Sequence, residues 1–293
     1  EPFTIPEEAL GHFRQAQERG KQLQREWEER FASYRQQYPK EAQQLEDALS
    51  GDLPQGWDTG LENLFNPADK PIATRDASNK VMNVIAQSVH SLTGGSADLA
   101  PSTRTLLKEH GHPGSGEPYD HNMHFGVREH AMGAIANGMA LHGGTIPYTA
   151  TFLIFSDYMR PPMRLASIME QRVIHIFTHD SIGMGEDGPT HQPIEQLAGL
   201  RAVPGLIVLR PCDATETTEA WKVAIQNRDG PTTLVLTRQN LPILDRVSLA
   251  PAEGVKRGGY VLWETSSKPE VILIGTGSEV HIALEAGKML ATD

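Results

Sequence analysis

The chain has 293 residues, 37 acidic against 26 Lys and Arg, and a formal charge of −11. That balance, with no block rich in Lys or Arg, argues against nucleic acid or an anionic membrane surface as a partner. Cys212 is the single cysteine, which excludes an intrachain disulfide and suits a reducing cytoplasm. No apolar stretch approaches the roughly 18 residues of a spanning helix, and no signal-peptide pattern is present, so no membrane segment and a cytoplasmic location are expected.

Residues 6–48 are helix-prone and heavily charged, with Pro6 and Glu7–Glu8 as a start signal and Pro39 expected to split the arm in two. Phe13, Leu23, Trp27, Phe31 and Tyr34 recur at rough helical spacing, the mark of an amphipathic connecting arm. A Pro-punctuated linker follows over 51–69. From Pro71 the pattern alternates: helices are expected near 76–90, 128–142, 157–170 and 214–227, and strands near 121–126, 144–149, 172–178, 206–210 and 232–237. Alternation of this kind predicts an α/β fold with a doubly wound, mostly parallel sheet. The chain loosens again at Leu241–Gly259. Glu270–Gly275 then reads as a strand and Ser278–Leu290 as its helix. One such unit cannot cover its own apolar faces, so a second α/β domain is expected to start here and continue further. The absence of an initial methionine likewise suggests a piece of a longer protein.

In parallel sheets of this type, ligands bind at the carboxyl ends of strands. Residues 179–193, His-Asp-Ser-Ile-Gly-Met-Gly-Glu-Asp-Gly-Pro-Thr-His-Gln-Pro, follow the apolar run Val173–Thr178. They offer His179, Glu186, Asp187 and His191 at that position, against the alternative of a solvated acidic loop. Glu129, in Gly-Val-Arg-Glu-His, lies where a strand turns into a helix. Its carboxylate serves either the helix N-terminus or proton transfer in a crevice. Phe152, Phe155 and Tyr158 recur three apart, which keeps them along one side of a helical turn, a stripe that is either core or a wall for an aromatic ring. Arg75 and Arg238 follow apolar runs, where a guanidinium is either a solvated charge or a phosphate fork. Residues 94–102, Gly-Gly-Ser-Ala-Asp-Leu-Ala-Pro-Ser, read as a glycine-rich turn whose Asp98 and Ser102 face a polar ligand. His110, His112, His121 and His124 lack carboxylate or thiolate partners at ligand spacing, so no metal site is expected. Gly275-Thr-Gly277-Ser is half a dinucleotide fingerprint and too weak to use.

Together these segments resemble the transketolase family. Gly-Gly-Ser-Ala-Asp-Leu-Ala-Pro-Ser, Gly-Val-Arg-Glu-His-Ala-Met-Gly, the 178–193 loop, Arg-Pro-Cys-Asp and Arg-Gln-Asn-Leu stand in that family's order, over roughly 66–293. The resemblance implies a helical arm and linker from the end of a diphosphate domain at 1–68, a pyrimidine-binding domain at 69–245, and the start of a C-terminal domain at 246–293. It implies thiamine diphosphate as cofactor, with Mg²⁺ and diphosphate ligands on a domain this chain lacks. Glu129 and His191 are the implied catalytic residues, Glu129 at N1′ of the aminopyrimidine and His191 near the reacting carbonyl. Asp98, Phe152, Phe155 and Tyr158 are implied to line the cofactor, and Arg75, Ser102, His179, Asp187 and Arg238 to hold a sugar phosphate. The implied activity is transfer of a two-carbon ketol unit from a ketose phosphate to an aldose phosphate, as in the pentose phosphate pathway. A homodimer sharing its sites is implied too, with the isolated chain expected to be inactive. A dihydroxyacetone synthase, another thiamine-dependent ketol transferase, or a non-catalytic subunit of a split enzyme would share most of these motifs.

Overall fold

A computed structural model describes residues 2–116, 120–185, 187–265 and 268–291. Two compact units divide at residues 52 and 53. The first is a helical hairpin of α1 (Glu7–Gln37) and α2 (Pro39–Ser50). Pro39 begins α2, where the missing N–H costs nothing. On α1, Trp27 stacks on Phe31 at 5.6 Å and Phe31 on Tyr34 at 6.4 Å, the contacts their helical spacing predicts.

The second unit starts its regular structure with β1 (Ile72–Ala73), α3 (Thr74–Ser88) and β2 (Leu92–Ser96). There follow α4 (Ala100–Thr103), β3 (Asn122–His124), α5 (Glu129–His142) and β4 (Ile146–Phe152). Next come α6 (Ser156–Ile168), β5 (Ile174–Thr178), α7 (Gln196–Arg201) and β6 (Ile207–Leu209). The last elements are α8 (Ala214–Gln226), β7 (Thr232–Val235), β8 (Asn240–Leu241) and α9 (Glu279–Leu290). Six strands pair in parallel in the order β3-β2-β4-β5-β7-β6. β1 and β8 form a separate antiparallel pair.

Every residue of β4 and β5 is buried, as expected of a sheet covered on both faces. On one face Val81, Met82 and Ile85 of α3 and Trp221 and Ile225 of α8 pack on Tyr148, Ile174, Ile176 and Leu234. On the other, Met132 of α5 and Met159 and Met163 of α6 pack on Phe177 and Val235. The sheet runs outward in both directions from β2: the chain goes to β3 on one side and then to β4 on the other. This reversal opens a crevice between the carboxyl ends of β2 and β4.

Three local expectations change. The glycine-rich stretch at 94–96 is not a turn but the body of β2. A Cβ on Gly94 would lie 2.0 Å from the Tyr148 carbonyl oxygen, and one on Gly95 would lie 1.7 Å from that of Met123. The glycines are there so that neighbouring strands can close in. Second, Phe152, Phe155 and Tyr158 do not share one helix: Phe152 ends β4, Phe155 lies in a 3₁₀ turn, and Tyr158 sits in α6. Third, no strand forms at 270–275 among the described residues. An apolar run becomes a strand only when a neighbour takes up its backbone groups, and Val271, Ile272 and Ile274 are exposed instead. No helix among the described residues is long and apolar enough to cross a membrane.

Candidate active site

Five of the six strands of the central sheet deliver candidate groups where the pleat ends. Asp98 and Ser102 follow β2, Glu129 follows β3, and the three rings follow β4. His179, Asp187 and His191 follow β5, and Arg238 follows β7. Arg75 stands in the first turn of α3. That turn is stitched to the end of β7 by Thr74 N–H to Thr237 Oγ1 at 3.0 Å and Thr237 N–H to Thr74 Oγ1 at 2.7 Å. Residues remote in sequence thus meet along one sheet edge.

A pocket of about 570 Å³ opens at the reversal of strand order. Its lining combines Ala97, Asp98 and Leu99 with Val127, Glu129, Phe155, Tyr158 and His191. Glu129 is 8% exposed at the first residue of α5 and accepts a hydrogen bond from the Thr151 hydroxyl at 3.5 Å. Its place at the helix start leaves both readings made from sequence open. This buried acid borders the cavity. Phe152 stacks on Phe155 with centroids 5.9 Å apart, and Phe155 lies 6.2 Å from Tyr158. His191 meets the Phe155 ring edge-on at 5.3 Å and receives support from Thr190, whose hydroxyl is 2.8 Å from Nδ1. Asp98 is held at φ 64°, the left-handed region that aspartate enters more readily than most residues.

Beside the pocket lies a group of positive charge. Arg75 Nη1 donates to the Ser102 carbonyl at 2.8 Å and lies 3.4 Å from His179 Nε2. Ser102 contributes its backbone oxygen to this contact. Arg238 reaches the same loop, for a Cβ on Gly185 would meet its Nη1 at 3.2 Å. Arg104 pairs with Asp76 at 3.1 Å, and Asp76 also lies 3.8 Å from Arg75 Nε. Burial pulls the Arg75 pKa down, Asp76 opposes that, and Arg104 and Arg238 add to it. His179 is 3% exposed, sits at φ 60° and stacks on Phe152 at 3.7 Å. Burial first, then the Arg75 cation, lower its pKa to about 4, with Asp187 opposing and Arg238 reinforcing. A guanidinium can only donate, so His179 Nε2 accepts. Nδ1 then carries the proton and donates to Thr178 Oγ1 at 2.8 Å. His179 is therefore neutral at neutral pH, with the Arg75 and Arg238 side chains near it.

The structure therefore brings together two sets of predicted residues: Asp98, Glu129, Phe155, Tyr158 and His191 around the pocket, and Arg75, Ser102, His179 and Arg238 around the cationic corner. Phe152 and His179 join them through their stacked rings. Asp187 is exposed on the loop and acts on His179 through its charge. Glu186 lies outside the described residues. Sequence reasoning missed Thr151, the partner of Glu129, and Arg104 with Asp76. Thr151 carried a usable signal, since it stands two residues from Thr149 on one face of a buried strand. Among the described residues no group of three or more His, Cys, Asp or Glu side chains is set to hold a metal.

Comparison with known proteins bears on the same elements. Residues 70–243 match the family described as transketolase, pyrimidine binding domain. Residues 1–54 match transketolase, thiamine diphosphate binding domain, and residues 258–293 match a transketolase-like C-terminal domain. The chain is 50% identical over 290 residues to a transketolase of Aquifex aeolicus, covering 99% of this chain and 42% of that one. It is 50% identical over 293 residues to a chloroplastic transketolase of Craterostigma plantagineum, covering 99% and 56% respectively. A solved transketolase of Pichia stipitis, in complex with sedoheptulose 7-phosphate, superposes with a TM-score of 0.93 at 41% identity, over 100% of this chain and 43% of the other. The chain spans about half the length of these relatives.

Proposed function

This chain belongs to the transketolase family, and from that premise we propose that its pocket holds the aminopyrimidine of thiamine diphosphate. In the protein that carries the chain, the pocket serves transfer of a two-carbon ketol unit between ketose and aldose phosphates. The observation that carries this reading is the buried Glu129 carboxyl bordering a cavity walled by Phe155 and Tyr158.

The residues fit such a group. Two aromatic side chains offer faces to a flat heterocycle, worth about 0.5–1.5 kcal/mol beyond buried area for a well-placed pair. A carboxyl kept from water can exchange a proton with one ring nitrogen without competition from solvent. Glu129 would hold and move that proton, Thr151 would keep the carboxyl turned toward the pocket, and Asp98 would lie beside the ring. When bound, the cofactor supplies the nucleophilic carbon that protein side chains lack. His191, on the pocket rim, would donate to the substrate oxygen at the bond that is made or broken. Arg75, Arg238, His179 and Ser102 would seat the phosphate, and Asp187 would read a donor hydroxyl.

The wider reading follows from the same premise. We assign 1–68 to the end of a diphosphate-binding domain, 69–245 to the pyrimidine domain and 246–293 to the start of a C-terminal domain. Mg²⁺ and the diphosphate are assigned to groups beyond the pocket lining. Val127, Ile135, Tyr158, Leu165 and Ile168 are exposed around the pocket and on α5 and α6, which supports a homodimer closing over the site. A cytoplasmic enzyme of pentose phosphate interconversion fits the lone buried cysteine. The acidic charge and lack of a basic block speak for small anionic substrates rather than nucleic acid or membrane.

The test is transfer from fructose 6-phosphate to an aldose phosphate, with thiamine diphosphate and Mg²⁺, using the full-length protein and its Glu129→Gln variant. The variant is expected to fall roughly 10²- to 10⁴-fold in kcat, the range for loss of a proton-transfer group, while folding normally. Near-normal kcat in that variant would remove Glu129 from its role, and absence of transfer in the unmodified protein would end the reading.

A further inference from the structure

Arg210 follows β6, and its side chain is only 7% exposed although it touches neither the pocket nor the cationic corner. Its Nε donates to Asp180 Oδ2 at 2.8 Å. Nη1 donates to the Thr276 carbonyl at 2.9 Å, to Thr276 Oγ1 at 3.1 Å, and to Glu279 Oε2. Its own carbonyl accepts from Gly277 N–H at 3.0 Å. One side chain therefore fastens two distant segments: Asp180, next to His179 after β5, and the 276–279 turn that enters α9.

We propose that Arg210 is a positioning residue that clamps the His179–Asp180 corner to the 276–279 turn, so that a segment outside the pocket sets the geometry of the sugar-phosphate site. The inference rests on the reading of His179 as part of that site. It draws on two sequence features without a role so far, the Arg-Pro-Cys-Asp run and Gly275-Thr-Gly277-Ser.

Three observations support it. First, His179 holds φ 60°, and a non-glycine residue stays in that region only where its surroundings over-determine it. Asp180, the adjacent residue, has a fully buried side chain whose ion pair is with Arg210. Second, the arrangement needs arginine. The planar fork presents Nε and Nη1 in different directions at once, and a lysine ammonium could reach one partner or the other. Third, the turn is shaped around the guanidinium. Gly277 stands at φ 59°, and a Cβ there would fall 2.7 Å from Arg210 Nε. Charge balance agrees: burial tends to raise the Glu279 pKa, but hydrogen bonds from Arg210 and Ser278 bring it below the usual value. Burial raises that of Asp180, with Arg210 opposing.

The test reads His179 directly, in the full-length protein labelled at histidine with ¹³C and ¹⁵N. The Phe152 ring, 3.7 Å away, shifts the His179 Cε1–H resonance by its ring current. Inorganic phosphate is then titrated against that resonance. The variants are Arg210→Lys and Glu279→Gln, the second on a half-exposed side chain so that folding is preserved. In both, the resonance is expected to move toward its random-coil position. The apparent Kd for phosphate should rise roughly 3- to 10-fold, the range of coupling carried through a packed contact network. A His179 resonance and a phosphate Kd unchanged in both variants overturn the proposal. Ketol transfer by the full-length protein with an unmoved resonance sinks this inference alone. A moved resonance in a protein that transfers no ketol unit sinks the functional reading and leaves the clamp standing.

Discussion

Replacing His175 by glutamine makes the fold less sensitive to acid. His175 lies on β5, wholly buried, with Nδ1 2.8 Å from Thr149 Oγ1 and with no hydrogen-bond partner for Nε2 among the described residues. Burial holds its pKa at about 3 instead of 6.5. Between those values the unfolded chain binds a proton that the native ring does not. Stability is therefore complete above about pH 6.5 and declines as pH falls toward 3. At pH 5 the unfolded ring is about 1.5 units below its pKa while the native ring is still neutral, and at 1.36 kcal/mol per unit this amounts to about 2 kcal/mol. His179, with a pKa near 4, adds a loss over the same range, so the wild-type change alone does not isolate His175. The difference between wild type and His175→Gln does, because glutamine keeps a polar contact for Thr149 and cannot titrate. Urea unfolding followed by far-UV circular dichroism at pH 7 and pH 5 measures it. Wild type should lose about 2 kcal/mol more than the variant on acidification. Equal losses would refute the reasoning, since the native ring would then have to accept a proton without penalty.

Arg238→Ala should raise KM for phosphorylated substrates by about 10-fold or more with kcat nearly unchanged, the pattern for loss of uniform binding; steady-state kinetics with phosphorylated and unphosphorylated ketoses checks it. Tyr158 is 65% exposed in the chain, so Tyr158→Ala should leave the thermal midpoint of the isolated 293-residue chain almost untouched. It should weaken thiamine diphosphate binding by about 0.5–1.5 kcal/mol, measurable by calorimetry on the full-length protein. Gly95→Ala puts a methyl 1.7 Å from the Met123 carbonyl oxygen in the adjoining strand. Backbone cannot yield there as a flexible side chain would, so a loss of about 3 kcal/mol or more is expected in urea unfolding.

Much of the architecture could be read without coordinates. The helices expected near 128–142 and 214–227 occur at Glu129–His142 and Ala214–Gln226, where a helix-prone run meets a favourable first turn: Glu129 in one, and the Asp213 side chain accepting from Glu216 N–H at 2.8 Å in the other. The buried strands Ile174–Thr178 and Thr232–Val235 were legible as short β-branched runs. β2 was not, since glycine signals a turn locally and only the closeness of Tyr148 and Met123 shows why it belongs in a sheet. The apolar run at 270–275 failed in the opposite direction: its composition is that of a strand, but pairing depends on a neighbour that composition cannot supply.

Chemistry divides in the same way. Local pattern marked Glu129, His179, Asp187, His191, Arg75 and Arg238 as candidates, each beside a structural alternative, because they stand in loops or turns that follow apolar runs; their roles came from the family resemblance. Which of them stand together is a long-range matter, set by strand order. Reversal of the sheet at β2 places Asp98, Glu129 and Phe155 around one cavity, and the Thr74–Thr237 stitch carries Arg75 across 163 positions to the same edge. The neutral state of His179 belongs to this second category too. It arises from burial and two arginines that adjoin it only in the folded chain, and no ordering of residue types along the backbone contains that information.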